Sequence, residues 1–240
     1  MQARFNSTGN KLTGLLSSLA QRRLGWSAGA MLFCVLLTGC ADVMRLKSSS
    51  RLGPFYTPKN FDGDTALPAS LHRVLVLPVY GGKVAQVEAS QVLDEVLLSA
   101  LQKKNRFEVV TVTREEIQRR FNQPEFSSAA VLPHGFLEDL GRAYGAEAVL
   151  FVDITVYAPY PPLAVGFRAK LATIGDVRLV WTFDETFSAS DPAVSNSVQR
   201  ASRQESSSQV PLDMTVGTFQ SPRRFAAFAA GIMFDTLPPR

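Results

Sequence analysis

The chain has 240 residues, 46% of them hydrophobic, with 25 Lys and Arg against 21 Asp and Glu and two cysteines. Four of the basic residues and none of the acidic ones precede residue 40, so the 201 residues that follow are balanced at 21 against 21. The basic excess thus belongs to the leading segment and is no argument for nucleic-acid recognition, and 201 residues are enough for one domain with a proper core.

Arg4, Lys11, Arg22 and Arg23 lead into an apolar run from Ala28 to Gly39, which ends in small residues and a cysteine. Basic, apolar, then small is the order of a secretory signal. A membrane-spanning helix needs about 20 apolar residues, and this run is shorter and interrupted by Gly29. The ending Leu37-Thr38-Gly39-Cys40 resembles the lipobox of bacterial lipoproteins. The resemblance implies cleavage between Gly39 and Cys40 and a palmitate-type lipid on Cys40. Ala41, rather than Asp, follows the cysteine, which in the lipoprotein sorting rule implies the outer membrane, facing the periplasm. Cys34 leaves with the signal, so no disulfide remains and the fold must rest on its core.

Residues 40–70 carry Ser48-Ser49-Ser50, Gly53-Pro54, Thr57-Pro58, Asp62-Gly63-Asp64 and Leu67-Pro68, which are turn signals without a sustained period. We expect a lipidated tether here and a single periplasmic domain over 71–240. Phe55, Tyr56 and Phe61 are apolar for a linker and are expected to pack on the domain. Arg73 to Tyr80 reads as a strand covered on both faces, with Pro78 near its end, and Gly81-Gly82 turns the chain. Val87 to Lys104 places Ala89, Val92, Leu93, Val96, Leu97, Ala100 and Leu101 on one helical face. Phe107 to Val112 is a second strand. Thr113 to Glu116 has capping-box spacing and opens a short helix through Phe121. Pro133 to Tyr144 is a further helix, closed by Gly145.

Ala148 to Tyr157 has the strongest strand pattern in the chain, broken by Ala158-Pro159-Tyr160-Pro161-Pro162. Gly166 to Ile174 alternates as a half-exposed strand, and Val177 to Ser188 pairs back as a hairpin in which Trp181 covers a sheet face. Asp191 to Gln220 is polar, with a helical piece near Val194 to Gln204. Ser221-Pro222 begins a final helix through Thr236. The order predicts an α/β fold: a three-layer-like sandwich with a mixed sheet, parallel in its early strands and antiparallel in its C-terminal hairpin, plus a docked C-terminal helix.

Three strings carry a wider resemblance: Arg73-Val74-Leu75-Val76-Leu77-Pro78, Phe107-Glu108-Val109-Val110, and Arg142 through Leu150, with Leu179-Val180-Trp181 in the hairpin. In this order, behind a lipobox, they are similar to a periplasmic lipoprotein superfamily. It holds the curli-secretion lipoprotein, outer-membrane activators of penicillin-binding proteins and the N-terminal domain of the Tol-Pal translocation protein. The resemblance implies a non-enzymatic, lipid-anchored envelope protein that binds other envelope proteins. One alternative is a subunit of an oligomeric curli-type secretion complex. That branch builds its pore from long amphipathic hairpins, and here only a proline-rich turn separates Tyr157 from Gly166.

Of the chemistry-bearing residues, His72 and His134 are far apart and lack metal spacing. Gly81-Gly82-Lys83 lacks the Ser/Thr and upstream glycine of a phosphate loop and reads as a turn. Asp62-Gly63-Asp64 has no closing Glu for calcium. Asp153 in an apolar strand must be paired or neutral if buried; a solvated position, or Arg168 as partner, is the simplest reading. An envelope enzyme with an atypical site near Asp153 is the second alternative. No cofactor or metal is expected. Tyr157, Tyr160, Pro161 and Pro162 form the candidate partner-binding surface, because prolines pre-order a backbone and tyrosines give contact area at low entropy cost.

Overall fold

The computed structural model describes residues 53–206 and 214–240. The signal, its cleavage site at Gly39 and Cys40, and residues 41–52 lie outside the described residues, as does 207–213 of the polar excursion.

Six strands form one mixed sheet: β1 (Phe61–Gly63), β2 (Arg73–Val76), β3 (Glu108–Thr111), β4 (Ala148–Ala158), β5 (Ala164–Thr173) and β6 (Leu179–Ser188). Their order is β1-β6-β5-β4-β2-β3. β2 pairs parallel with β3 and β4, while β4, β5, β6 and β1 run antiparallel in succession. This is the mixed α/β sheet that the element order predicts. The helices are α1 (Val87–Gln102), α2 (Arg114–Phe121), α3 (Phe136–Tyr144), α4 (Pro192–Ser206), α5 (Met214–Gln220) and α6 (Pro222–Asp235).

Two apolar cores give the layers. On one face, Leu93, Val96, Leu97 and Leu101 of α1, Val194 and Val198 of α4, and Phe225, Ala229, Met233 and Phe234 of α6 bury against Val74, Leu150, Phe167 and Phe183. On the other face, Ile117 of α2 and Phe136, Leu137 and Leu140 of α3 pack on Leu75, Val149 and Phe151. β2 is buried from both sides, which is why Val74 and Leu75 are both apolar. β5 shows Arg168 and Lys170 half-exposed between buried Phe167, Ala169 and Leu171, as its alternation predicts. Trp181 is buried, stacks on Phe183, and donates its indole N–H to Thr236 Oγ1 at 3.0 Å.

The local signals work where a side chain satisfies an orphan backbone group. Thr113 Oγ1 accepts from Glu116 N at 3.2 Å at the start of α2. Ser221 caps α6, with proline in its first turn. Gly145 closes α3 in the left-handed region. Other expectations need correction. α3 starts at Phe136, because Pro133 and His134 form a turn whose carbonyl at Pro133 accepts from Phe136 N. α4 begins at Pro192 and runs to Ser206, longer than expected, because Val194 and Val198 are fully buried.

The expected tether needs the largest revision. Residues 53–70 pack on the domain. Tyr56 N donates to Ala193 O and Ser197 Oγ, and the Tyr56 ring lies 5.0 Å from that of Phe187. Phe61–Gly63 is the edge strand β1, paired with Trp181 to Phe183 of β6. Leu67 and Leu71 are core residues. Turn residues hid these contacts, because a three-residue strand has no period to read. Tyr56 packs as expected, whereas Phe55 and Phe61 remain substantially exposed.

Candidate interaction surface and the filled crevice at the strand ends

β4 is 11 residues long, but only Ala148, Val149 and Leu150 pair with β2. Beyond them β4 continues with β5 as far as Ala158↔Ala164. Residues 159–163 close the hairpin. Its base is fixed: Leu163 is buried, and Leu163 O accepts from Ala189 N at 2.8 Å. Inside the hairpin a bulge lies between Ile154 and Val156, and Gly166 faces it. A Cβ at Gly166 would collide with the Thr155 and Thr186 hydroxyls, so the close approach requires glycine there. At the tip Tyr160 is 81% exposed, with Pro161 and Pro162 exposed beside it and the bond between them cis. Tyr157 instead packs half-buried against the main core, where burial raises the pKa of its hydroxyl. The structure therefore brings three of the four expected residues together and gives the fourth a packing role.

The second place where open α/β sheets present side chains is the crevice at the carboxyl ends of parallel strands, where the strand order reverses. Here it lies between β2 and β4, at the isolated bridge Tyr80↔Asp153. The chain fills it with its own loop. Asp153 is 4% exposed. Its Oδ2 accepts from Ser127 Oγ at 2.8 Å and Ser128 Oγ at 2.9 Å, and its Oδ1 accepts from Ser128 N at 2.8 Å. Lys170 Nζ donates to Ser128 O at 2.8 Å. Asp153 thus faces the core rather than solvent, and Arg168 pairs with Asp184 at 2.7 Å instead. A buried carboxylate with three donors is satisfied without a counter-ion.

Next to it, Glu125 Oε1 accepts from the N–H groups of Gly81 and Gly82 at 3.2 and 3.3 Å. Gly82 has φ +53, so consecutive N–H groups converge as they do in anion-binding nests. The Gly81-Gly82 turn holds an anion, and that anion is a side chain of this protein. Arg114 links the network: it ion-pairs with Asp94, lies 3.6 Å from Glu125, and donates to Val79 O at 2.9 Å. Asp94 also accepts from Val79 N at 2.8 Å. Burial raises the Asp94 pKa above its ordinary value despite these partners. Sequence reasoning missed Glu125, Ser127 and Ser128, which lie in a stretch without period.

The other candidates have structural positions. His72 Nδ1 sits 3.0 Å from Arg240, His134 is exposed in the turn before α3, and Asp64 pairs with Arg178 at 2.6 Å. Among the described residues no group of three or more His, Cys, Asp or Glu is placed to hold a metal ion. No helix among them is long and apolar enough to cross a membrane.

No protein-family model and no curated protein matches the chain. Among solved structures, the PelC dodecamer from Paraburkholderia phytofirmans matches with a TM-score of 0.45 at 12% identity, covering 75% of this chain and 96% of that one. Lipoprotein GNA1162 from Neisseria meningitidis matches with a TM-score of 0.39 at 17% identity, covering 58% and 99%. The LpoB C-terminal domain from Salmonella enterica matches with a TM-score of 0.35 at 18% identity, covering 51% and 87%. At such identities and scores the likeness says nothing of activity or partner.

Proposed function

We propose that this chain is a non-enzymatic, lipid-anchored protein of the bacterial cell envelope, held in the outer membrane through Cys40, whose periplasmic α/β domain binds another envelope protein. The observation that carries the binding role is the β4–β5 tip, where Tyr160 is 81% exposed between prolines on a hairpin anchored by buried Leu163. A rigid, exposed aromatic loses little entropy on contact and gives a large area. The Leu37–Cys40 sequence supports the anchor. The filled crevice supports a structural use of Asp153, because its two oxygens are occupied by Ser127 and Ser128.

Two experiments test the reading. Metabolic palmitate labelling should mark the wild-type protein in the outer-membrane fraction and fail for Cys40→Ser; an unlabelled, soluble wild type rejects the anchor. A photoreactive residue at Tyr160, activated in living cells, should capture one specific envelope protein. Capture of a second copy instead would favour the oligomeric, curli-type reading, for which the edge of β3 (Glu108–Thr111), unpaired among the described residues, offers a pairing surface.

A further inference from the structure

We infer that the outer face of the α1/α4/α6 layer is a seat for anionic phospholipid headgroups and lies against the membrane that carries the Cys40 lipid. The inference rests on the anchoring reading above and adds which side of the domain meets the lipid. A groove of about 730 Å³ runs between α1, α4 and α6. Its walls include half-buried Phe228 and Ile232, and its rim carries Lys103 and Lys104 from the end of α1 and Arg223 and Arg224 from the start of α6. Among the described residues two acidic ones line it, and both are engaged: Asp235 by Lys104 and Glu95 by Arg223 at 3.0 Å. Lys103 and Arg224 are exposed and have no acidic partner among the described residues. Among the described residues the groove therefore carries a net charge of +2 around half-buried Phe228 and Ile232, in a chain that is neutral after Cys40. Cations above apolar side chains match a headgroup phosphodiester and the glycerol beneath it.

The point where the chain joins the domain selects a membrane over a free anion. Gly53 to Tyr56 lies along α4: Asn196 Nδ2 donates to Pro54 O at 3.3 Å, and the Arg200 guanidinium sits 4.7 Å above the Phe55 ring. The same helix contributes Val198 and Ala201 to the groove. From Cys40 to Gly53 the chain spans 13 residue steps, a contour of about 45 Å even when fully extended. A domain of this size has a radius of gyration of about 16 Å, so the leash is little longer than the domain is wide. The helical layer that receives the leash is held near the lipid surface, and weak charge attraction then acts at high effective concentration.

The test uses the lipidated protein purified from membranes and reconstituted in vesicles. A photoreactive residue replaces exposed Ala227 in the groove, and a second preparation carries it at Val131, 97% exposed in the loop before α3. The vesicles hold labelled phosphatidylglycerol or labelled phosphatidylcholine. The expected result is capture of phosphatidylglycerol from position 227 in excess over phosphatidylcholine, and none from 131. Lys103→Gln with Arg224→Gln should cut that excess roughly tenfold or more, and raised salt should abolish it. Equal capture of the two lipids, equal capture from both positions, or capture of a second copy from 227 overturns the seat while leaving the anchor intact. Wild-type protein that carries no palmitate as isolated from cells and does not float with the vesicles overturns the anchor and the seat together.

Discussion

Glu185 shows how one carboxylate fixes the start of the domain. Burial alone would raise its pKa, but the N–H groups of Lys59 and Asn60 and the Tyr56 hydroxyl outweigh that and hold it below the ordinary carboxylate range. The Tyr56 hydroxyl is correspondingly raised, first by burial and then by Glu185. A depressed carboxylate contributes stability above its unfolded value that is lost as pH falls through its folded one; a raised phenol contributes stability that is lost once pH exceeds the unfolded value of about 10. The protection of residues 53–63 against hydrogen exchange, taken as the observed rate against the intrinsic rate at the same pH, should therefore be greatest between about pH 5 and 9 and fall on both sides. Glu185→Gln should flatten the acid limb. Asp153→Ala makes a separate residue-scale case: removing the acceptor strands two hydroxyls and an N–H, at an expected cost of about 2–4 kcal/mol in urea denaturation. The apolar run around Asp153 made the strand legible, but the two serines that bind it have no pattern that points across 25 residues of chain.

Elements were legible where their own period or cap defines them. α1 buries Leu93, Val96, Leu97, Ala100 and Leu101 of the face its three-four spacing names, and leaves Val92 exposed at its margin. The charge alternation of β5 likewise fixed its two faces. β1 was hidden because it is three residues long and takes its order from β6, a partner more than 100 positions away. The hairpin tip was legible as a proline-tyrosine string, but the sequence could not show which tyrosine points outward. That depends on the β4 bulge, which the tight approach of Gly166 permits. Two expectations follow for these elements. Tyr160→Ala should leave stability within about 0.5 kcal/mol, because the ring is exposed, yet abolish in-cell capture of the partner by a crosslinker at Pro161. Phe225→Ala on α6 should cost about 3–5 kcal/mol, because it empties a fully buried aromatic site.

For the molecule as a whole, the boundary of the cooperative unit is the question on which sequence and structure part. Composition put the domain at residue 71, whereas the packing begins near Gly53. Leu67, Tyr56 and the β1 pairing complete the face of β6 that would otherwise be a bare edge. A chain of residues 53–240 should unfold in one transition. A chain of residues 71–240 should lose about 4 kcal/mol or more, from one buried leucine, one half-buried tyrosine and a strand pairing. It should also self-associate through β6, which light scattering would detect. The layer order and the mixed sheet were legible because each core face repeats along a strand or helix. The closure of the sheet was not, since it depends on a segment that looks like a linker.

The unequal strand lengths have a mechanical consequence. β2 and β3 are four residues long, while β4, β5 and β6 are 10 or 11. From the bridge at Asp153 to Ala158, β4 overhangs its parallel neighbour by five residues, about 17 Å. The antiparallel half of the sheet is thus a stiff cantilever with Tyr160 at its free end. Tension applied there along the strands loads β4 and β5 together and is taken in shear by their pairings with β2 and β6, rather than unzipping one bond at a time. The load arrives at Ala148 to Leu150, in the middle of both cores. A partner that tugs on the tip would draw on the best-buried part of the molecule to resist it.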